Sequence, residues 1–554
     1  MKKSIFNKVM VLGLAFTFFA QSCTNLDEEL YSDLAAENFF KSEAEYIAAL
    51  GAAYASFSGM GNHFGLWTMN ELASDELVIT TKGGDWYDGG VLIQLHEHKW
   101  TIDNPIVGNT WGFLFGGVNT CNRLIYQFEQ LPVSDGQKAI LAELKAVRAL
   151  WYYWLLDGFG NVPIVTDFTD TNAPANNASF AAGRTAVYNF VEKELSDALP
   201  LLSDKKDGTT YGRINKWTAL AIRCKLYLNA GVYTGTPQWQ KAADDAQAII
   251  SSGKYSLESS YKKNFAVDNA GSNENIFVYP YDKVFSQGFN WPMMTLHYAS
   301  QGVYNLTSQP WNGYSAVEEF YNTYVNATVD TQFPNVYSGS GNPGPQGDVW
   351  KGDCLPQTNP AGNAAGTKDS RISNFVVGPQ FNSNGTRATD PGTDGDDPDG
   401  APLTFTPKIN QIYPNGWRQG GARIGKYEYE IGGTPNMSND FVIFRYADII
   451  LARAEALWRL NNADANALTL VNQVRSRAGV DAFSGSLSPN QLFAERGREM
   501  FAEMTRRQDL IRFGKFNEAW WAKGASAATV AVFPIPKGAR DVNNKLVQNP
   551  GYPN

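Results

Sequence analysis

Residues Ala139 to Asp157 read AILAELKAVRALWYYWLLD, a run in which apolar side chains recur every three to four positions and which stops at Gly158. That period belongs to an α-helix buried along one stripe, and a glycine at its end supplies a C-cap. The same period predicts helices over Glu43 to Phe57, Trp111 to Phe128, Arg184 to Leu199, Lys216 to Asn229 and Gln238 to Ile250. It returns over Phe444 to Leu460, Ala463 to Ala478 and Gln491 to Phe513. Short polar turns join these runs as antiparallel pairs, with the small residues Ala219, Ala221, Ala242 and Ala243 where neighbouring helices touch. The expected fold is mostly α: a tetratricopeptide-like α-superhelix, although no strict repeat consensus is present. Trp151 and Trp154 are expected in its core.

Between the helical blocks, roughly residues 253–440, the chain is rich in Asn, Gly, Pro, Ser and aromatics, with short strand-like runs such as Asn275 to Pro280. A helix-free stretch of that length is a functional insertion rather than a linker. The expected organisation is a leader over 1–22, an N-terminal helical region over 23–252, the loop-rich insertion over 253–440 and a C-terminal helical region over 441–554. The turn Asp390 to Gly400 resembles a calcium loop, but Pro398 breaks its alternate-ligand spacing and Phe405 stands where a closing Glu is required.

The leader has Lys2, Lys3 and Lys8 before an apolar run from Val9 to Ala20, too short to span a bilayer. It stops at Gln21-Ser22-Cys23, where a small residue before a cysteine makes Cys23 the expected lipidation site. The acidic cluster Asp27-Glu28-Glu29 follows. Cys121, Cys224 and Cys354 lie at long, unpatterned spacings, so neither a disulfide framework nor a Cys-ligated zinc site is expected, and Cys121 and Cys224 read as small buried hydrophobes. His63, His96, His98 and His297 form no zinc motif, and no metal or cofactor is expected. A net charge of −9 argues against nucleic acid. Charged residues make up 18% and aromatics 13%, and several of those rings sit in Gly/Asn-rich loops that offer no helical face to bury them.

Several motifs, in order, resemble the RagB/SusD family. Leu26-Asp27-Glu28 with Asn38-Phe39-Phe40 is similar to its opening, and the helix from Leu144 runs into Gly158-Phe159-Gly160-Asn161-Val162-Pro163 as the family's does. Gly212-Arg213-Ile214-Asn215-Lys216 precedes Leu226-Tyr227-Leu228-Asn229-Ala230-Gly231. The C-terminal third resembles it most: Arg445-Tyr446-Ala447-Asp448 to Ala454-Glu455-Ala456, Val474-Arg475-Ser476-Arg477-Ala478-Gly479, Glu495-Arg496-Gly497-Arg498-Glu499, and Arg507-Gln508-Asp509-Leu510-Ile511-Arg512-Phe513-Gly514. The chain closes on Pro534-Ile535-Pro536 and Gln548-Asn549-Pro550-Gly551-Tyr552.

The resemblance implies a non-catalytic, lipid-anchored protein on the outer face of the outer membrane. It would capture oligosaccharide and act as a lid on a TonB-dependent SusC-like β-barrel transporter. A sugar has apolar faces and polar edges, so capture needs aromatic plates flanked by short polar groups. The segments Lys82 to Gly90, Phe289 to Pro292 and Pro310 to Tyr314 have that makeup. By local match to the family's starch-binding prototype, Trp291 and Tyr314 fall on two plate positions and Trp86 is the candidate for the third. Lys82, Asp85 and Asp88 are the expected polar partners, whereas Trp67, Trp100 and Trp311 read as structural. Two rivals remain at this stage. One is a peptide-capturing lid of the RagB branch; the other is a helical-barrel glycoside hydrolase, which would need paired carboxylates from among Asp75, Glu76, Asp85 and Asp88.

Overall fold

A computed structural model describes residues 43–324, 367–390 and 403–553. Cys23, the acidic cluster behind it, Cys354 and the calcium-like turn beyond Asp390 lie outside them. The first helical block comprises α1 (Glu43–Ala55), α2 (Leu66–Leu72), α3 (Pro105–Glu129), α4 (Asp135–Phe159), α5 (Phe180–Ala198), α6 (Lys216–Leu228) and α7 (Trp239–Ser251). Asn104, Ser134, Ser179 and Asn215 each turn a side-chain oxygen onto a first-turn amide, satisfying donors that a helix start leaves open. Helix α4 runs through Gly158 to Phe159 and stops at Gly160, whose φ is 70°.

The insertion is not without helices. It carries α8 (Trp291–Thr295) and single turns at Ser300–Tyr304 and Glu318–Tyr321. Its strands form two-stranded sheets that depend on helices for support. Strand β1 (Leu77–Ile79), which precedes the insertion, pairs antiparallel with β3 (Tyr314–Ala316). Within or at the edge of the insertion, β4 (Phe375–Val376) pairs with β7 (Arg423–Ile424), and β5 (Gly378–Pro379) with β6 (Thr404–Phe405). The expected strand Asn275–Pro280 is β2, and it pairs with β8 (Asp440–Arg445). Phe444 and Arg445, expected to begin a helix, therefore close a strand, and α9 starts at Tyr446 and runs to Leu460.

Helix α3 packs on α4, α4 on α5, α5 on α6, α6 on α7, and α7 on α9, which packs on α10 (Ala465–Arg477). This quasi-one-dimensional array is the superhelical scaffold. Small residues set its spacing. A Cβ on Gly117 would stand 2.2 Å from the Trp151 indole, so only glycine lets α3 close on α4. Ala219, Ala221, Ala242 and Ala243 are all buried, as are Trp151, Trp154, Cys121 and Cys224. Burial pushes the Cys121 thiol up to about 12, so it stays protonated as a small apolar group.

The run Gln491 to Phe513, expected as one helix, is two: α11 (Pro489–Met500) and α12 (Arg506–Arg512). Neither Gly nor Pro marks the break. Glu76 instead accepts the Ala502 amide at 2.9 Å and Glu71 accepts the Met504 amide at 2.6 Å, donors that a continuing helix would have spent on its own carbonyls. Ala502 and Met504 are left with φ of 58° and 56°.

The charges on these C-terminal helices are buried, not a solvated face. Glu499 binds Arg371 at 3.0 Å, Arg445 at 2.6 Å, and Arg477. Glu495 binds Arg371 and Arg475 at 2.7 Å and Arg498 at 2.6 Å. A second hub joins Glu455 to Arg512 and Asp509 to Arg496, each at 2.7 Å, with Lys225 on Asp448 at 2.9 Å. These contacts lock the second helical block to the insertion and to α6.

Candidate functional site

Helix α2 and the β1–β3 pair build a floor of packed rings. Trp67 on α2 stands 4.5 Å from Trp291 and 5.0 Å from Tyr314, centroid to centroid. Phe289, Tyr427 and Phe441 close around Trp291 at 5.3, 5.4 and 6.2 Å. The Tyr314 hydroxyl shares a 2.6 Å hydrogen bond with Thr68, and burial pushes its phenol up. Trp291 and Tyr314 are 0% exposed. The arc of three presented rings is thus corrected: pairing of Tyr314 with Ile79 draws it inward, Trp291 starts α8 instead of tipping a loop, and of the three only Trp86 reaches solvent.

Loops around residues 61–64, 82–90, 308–313 and 410–418 meet above this floor. The Trp86 indole donates to the Trp311 carbonyl at 2.5 Å and lies 6.1 Å from Tyr314, edge to face. Gly313 makes room for it, since a Cβ there would come within 2.5 Å of the indole and of the Met294 carbonyl. Trp311, expected to be structural, is 38% exposed and meets the His63 ring at 5.2 Å. Trp67 and Trp100 are buried, as expected. Tyr87 and Tyr413, 44% and 49% exposed, lie 5.2 Å apart on the second and last of these loops.

Polar groups edge these rings. Asp85 and Asp88 are exposed, and Asp85 accepts the Tyr298 hydroxyl, whose ring lies 4.7 Å beneath the Arg418 guanidinium. Arg418 is gripped by buried Asp390 at 2.9 Å. Burial lowers the His63 pKa despite the nearby Asp88 charge, so the ring is neutral at pH 7; it bonds Asn62 at 2.9 Å and faces Asn290 at 3.3 Å. Lys82 is corrected: it is buried, and its ammonium donates to the carbonyls of Thr80 at 3.1 Å and Gly313 at 3.4 Å, bracing two loops instead of reaching solvent.

Four non-glycine residues here have left-handed backbone: Phe64 (φ 60°), Trp86 (63°), Asp88 (44°) and Asn312 (57°). Such residues cost of order 1–3 kcal/mol each and gather where a ligand must be met by a fixed surface. Little in the local sequence marked His63, Tyr298, Tyr413 or Arg418, whereas Trp311 lay in a segment of the right makeup and was read as structural. The one available signal was the turn chemistry of Asn312-Gly313 and Pro414-Asn415-Gly416 beside aromatic residues.

Two of the four rival carboxylates are engaged elsewhere, leaving only Asp85 and Asp88 at the site. Asp75 pairs with Arg506 at 2.7 Å and Glu76 is buried. Among the described residues no group of three His, Cys, Asp or Glu side chains is placed to hold a metal ion, and no helix is long and apolar enough to cross a membrane.

A superhelical scaffold that presents rings on strained loops defines a binding protein of helical-repeat architecture. The chain belongs to the SusD/RagB family. A model described as "SusD family" matches residues 273–531, and one described as "Starch-binding associating with outer membrane" matches 26–228. The starch-binding protein SusD of Bacteroides thetaiotaomicron is 25% identical over 506 residues, covering 87% of this chain and 84% of that protein. A SusD-like protein of Formosa agariphila is 23% identical, covering 96% and 97%. Among solved structures, surface glycan-binding protein A of Bacteroides thetaiotaomicron with laminarihexaose has a TM-score of 0.68 at 19% identity, covering 91% of this chain and 99% of that one. A laminarin-binding SusD-like protein has a TM-score of 0.65 at 22% identity, covering 93% and 100%. The chain is a non-catalytic member of the family.

Proposed function

We propose that this chain captures a neutral oligosaccharide on the surface formed by Trp86, Trp311, Tyr87 and Tyr413, edged by Asp85, Asp88 and His63. Trp291, Tyr314 and Lys82 act from below by holding that surface in place. The observation that carries this reading is the clustering of strained backbone with exposed rings on four loops: a surface held at a conformational cost is one that something meets. The relatives named for starch, laminarin and surface glycans supply the cargo class. In the complete reading, Cys23 is acylated, the protein sits on the outer face of the outer membrane, and it works as a lid delivering glycan to a TonB-dependent SusC-like barrel.

Stacking on one ring contributes on the order of 1 kcal/mol, so two or three rings hold cargo weakly enough to release it. Calorimetry against starch, laminarin and other neutral glycans is the test. Trp86→Ala and Trp311→Ala are each expected to cost tenfold to a hundredfold in affinity while the protein stays folded, roughly 1–3 kcal/mol. Wild-type affinity in both folded variants removes the site. Palmitate label entering wild type and Cys23→Ala equally removes the lipid anchor.

A further inference from the structure

We infer that Glu71 and Glu76 share a single proton, and that this proton holds together the floor on which Trp86 rests. Both side chains are buried, at 1% and 0% exposure. Glu71 Oε1 accepts the Met504 amide and Glu76 Oε2 accepts the Ala502 amide. Glu71 Oε2 and Glu76 Oε1 are buried and meet no protein donor, and the two carboxyls lie close enough that each shifts the other's ionisation. Two carboxylates have no hydrogen to put between them. One carboxylic acid donating its O–H to the neighbouring carboxylate does, and it gives each orphaned oxygen a partner.

The surrounding charges leave this place to a proton. Lys426 from the insertion is taken by Glu503 at 2.6 Å, and by the Tyr261 hydroxyl and the Phe501 carbonyl. Arg506 on α12 is taken by Asp75 at 2.7 Å. The Tyr324 phenol lies near Glu76 too, but burial raises its pKa and keeps it neutral, and its hydroxyl donates to the Arg498 carbonyl at 2.9 Å. Burial raises both carboxyls, Glu71 to about 7 and Glu76 well above its ordinary value.

The pair is a positioning device for the rings above. Its two amide partners hold the turn between α11 and α12, and in that turn the Ala502 carbonyl accepts the Trp67 indole at 3.1 Å. Trp67 packs on Tyr314, and Trp86 stands on Tyr314. Glu71 lies on α2 with Trp67 and Thr68. The Glu76 carbonyl takes the Val317 amide at 2.9 Å, immediately beyond β3. Loss of the proton places two negative charges side by side in a buried site and releases the turn that fixes Trp67.

Because the folded-state pKa values lie above the ordinary carboxyl value, the stabilisation is complete below that value and is lost as pH rises through the folded values, about 7 for Glu71 and raised well above the ordinary value for Glu76. The folding constant of wild type should then fall about tenfold per pH unit while the folded state keeps its extra proton. Glu71→Gln and Glu76→Gln put a permanent N–H donor beside the remaining carboxylate, so each should flatten that slope. Infrared spectroscopy of wild type near pH 6 should show the band of a buried neutral carboxyl, lost on titration and diminished in either variant. Absence of the band, or equal pH slopes in wild type and folded variants, overturns the shared proton, and the band decides it even if neither variant folds. The effect on the site rests on the glycan reading: affinity should fall between pH 7 and 9 in wild type and stay level in Glu71→Gln. Level affinity in wild type with the band present overturns the positioning role. A glycan panel in which nothing binds at any pH overturns the proposed function instead, leaving band and slope to decide the proton.

Discussion

Two buried layers lie behind the candidate site, and they hold by different physics. The ring floor of Trp67, Trp291, Tyr314, Phe289, Tyr427 and Phe441 is apolar and gains from every square ångström taken from water. The hub around Glu495, Glu499, Arg371, Arg445 and Arg477 is ionic, and attraction there must first offset desolvation. The floor therefore tolerates changes of shape better than loss of volume, whereas the hub tolerates neither partner being removed. One layer supports exposed loops; the other fixes how distant parts of the chain meet.

Acid separates the layers most strongly. The guanidinium groups around Glu495 and Glu499 hold both carboxyls down near 2, against an ordinary value of 4.5. For depressed groups, stability is complete above the ordinary value and lost as pH falls toward the folded one. The two together should cost about a hundredfold in folding constant per pH unit between those limits. A flat urea midpoint across that window would show that the hub is not charged as drawn. At neutral pH, Glu499→Leu leaves three guanidiniums short of a partner and should cost about 3–5 kcal/mol in urea unfolding; a loss below about 1 kcal/mol would equate hub and floor.

Trp291→Ala should cost about 3–5 kcal/mol by opening a cavity. Trp291→Phe should cost clearly less, since it keeps most of the ring and removes a buried indole N–H that meets no partner. If Trp291→Phe is as damaging as Trp291→Ala, the floor is shape-locked and not merely apolar. The smallest effect on folding belongs to the exposed layer. Trp86→Ala should shift stability by no more than about 1 kcal/mol, because the indole is half-buried and sits above the floor, not within it. Binding of a neutral glycan should vary little with salt, since stacking is not screened; steep salt dependence would point to charged cargo.

Much of the scaffold was legible in the chain. The 3.6-residue period located every long helix of the array, and Asn275 to Pro280 was recognisable as a strand. The misreadings share one cause: they concern residues whose partners are remote in sequence. Gln491 to Phe513 has helical periodicity throughout, and its break at Ala502 and Met504 is imposed by Glu76 and Glu71, more than 400 residues away. Trp291 and Tyr314 sit among Asn, Pro and Gly as an exposed ring would, and only the packing of Trp67, Phe289 and Phe441 covers them. Lys82 looked like a sugar partner until the carbonyl of Gly313 claimed its ammonium.

What the sequence determined by itself was the local repertoire: which segments coil, and that aromatic side chains would be concentrated on glycine-rich loops. These follow from backbone geometry and from periods shorter than one helix, which neighbouring residues settle among themselves. The tertiary structure alone decided which rings face solvent, which charges are paired and buried, and that Trp86 and Trp311, 225 residues apart, share one surface. Burial and desolvation depend on everything within a few ångströms, and for this chain most of those neighbours come from elsewhere in the sequence.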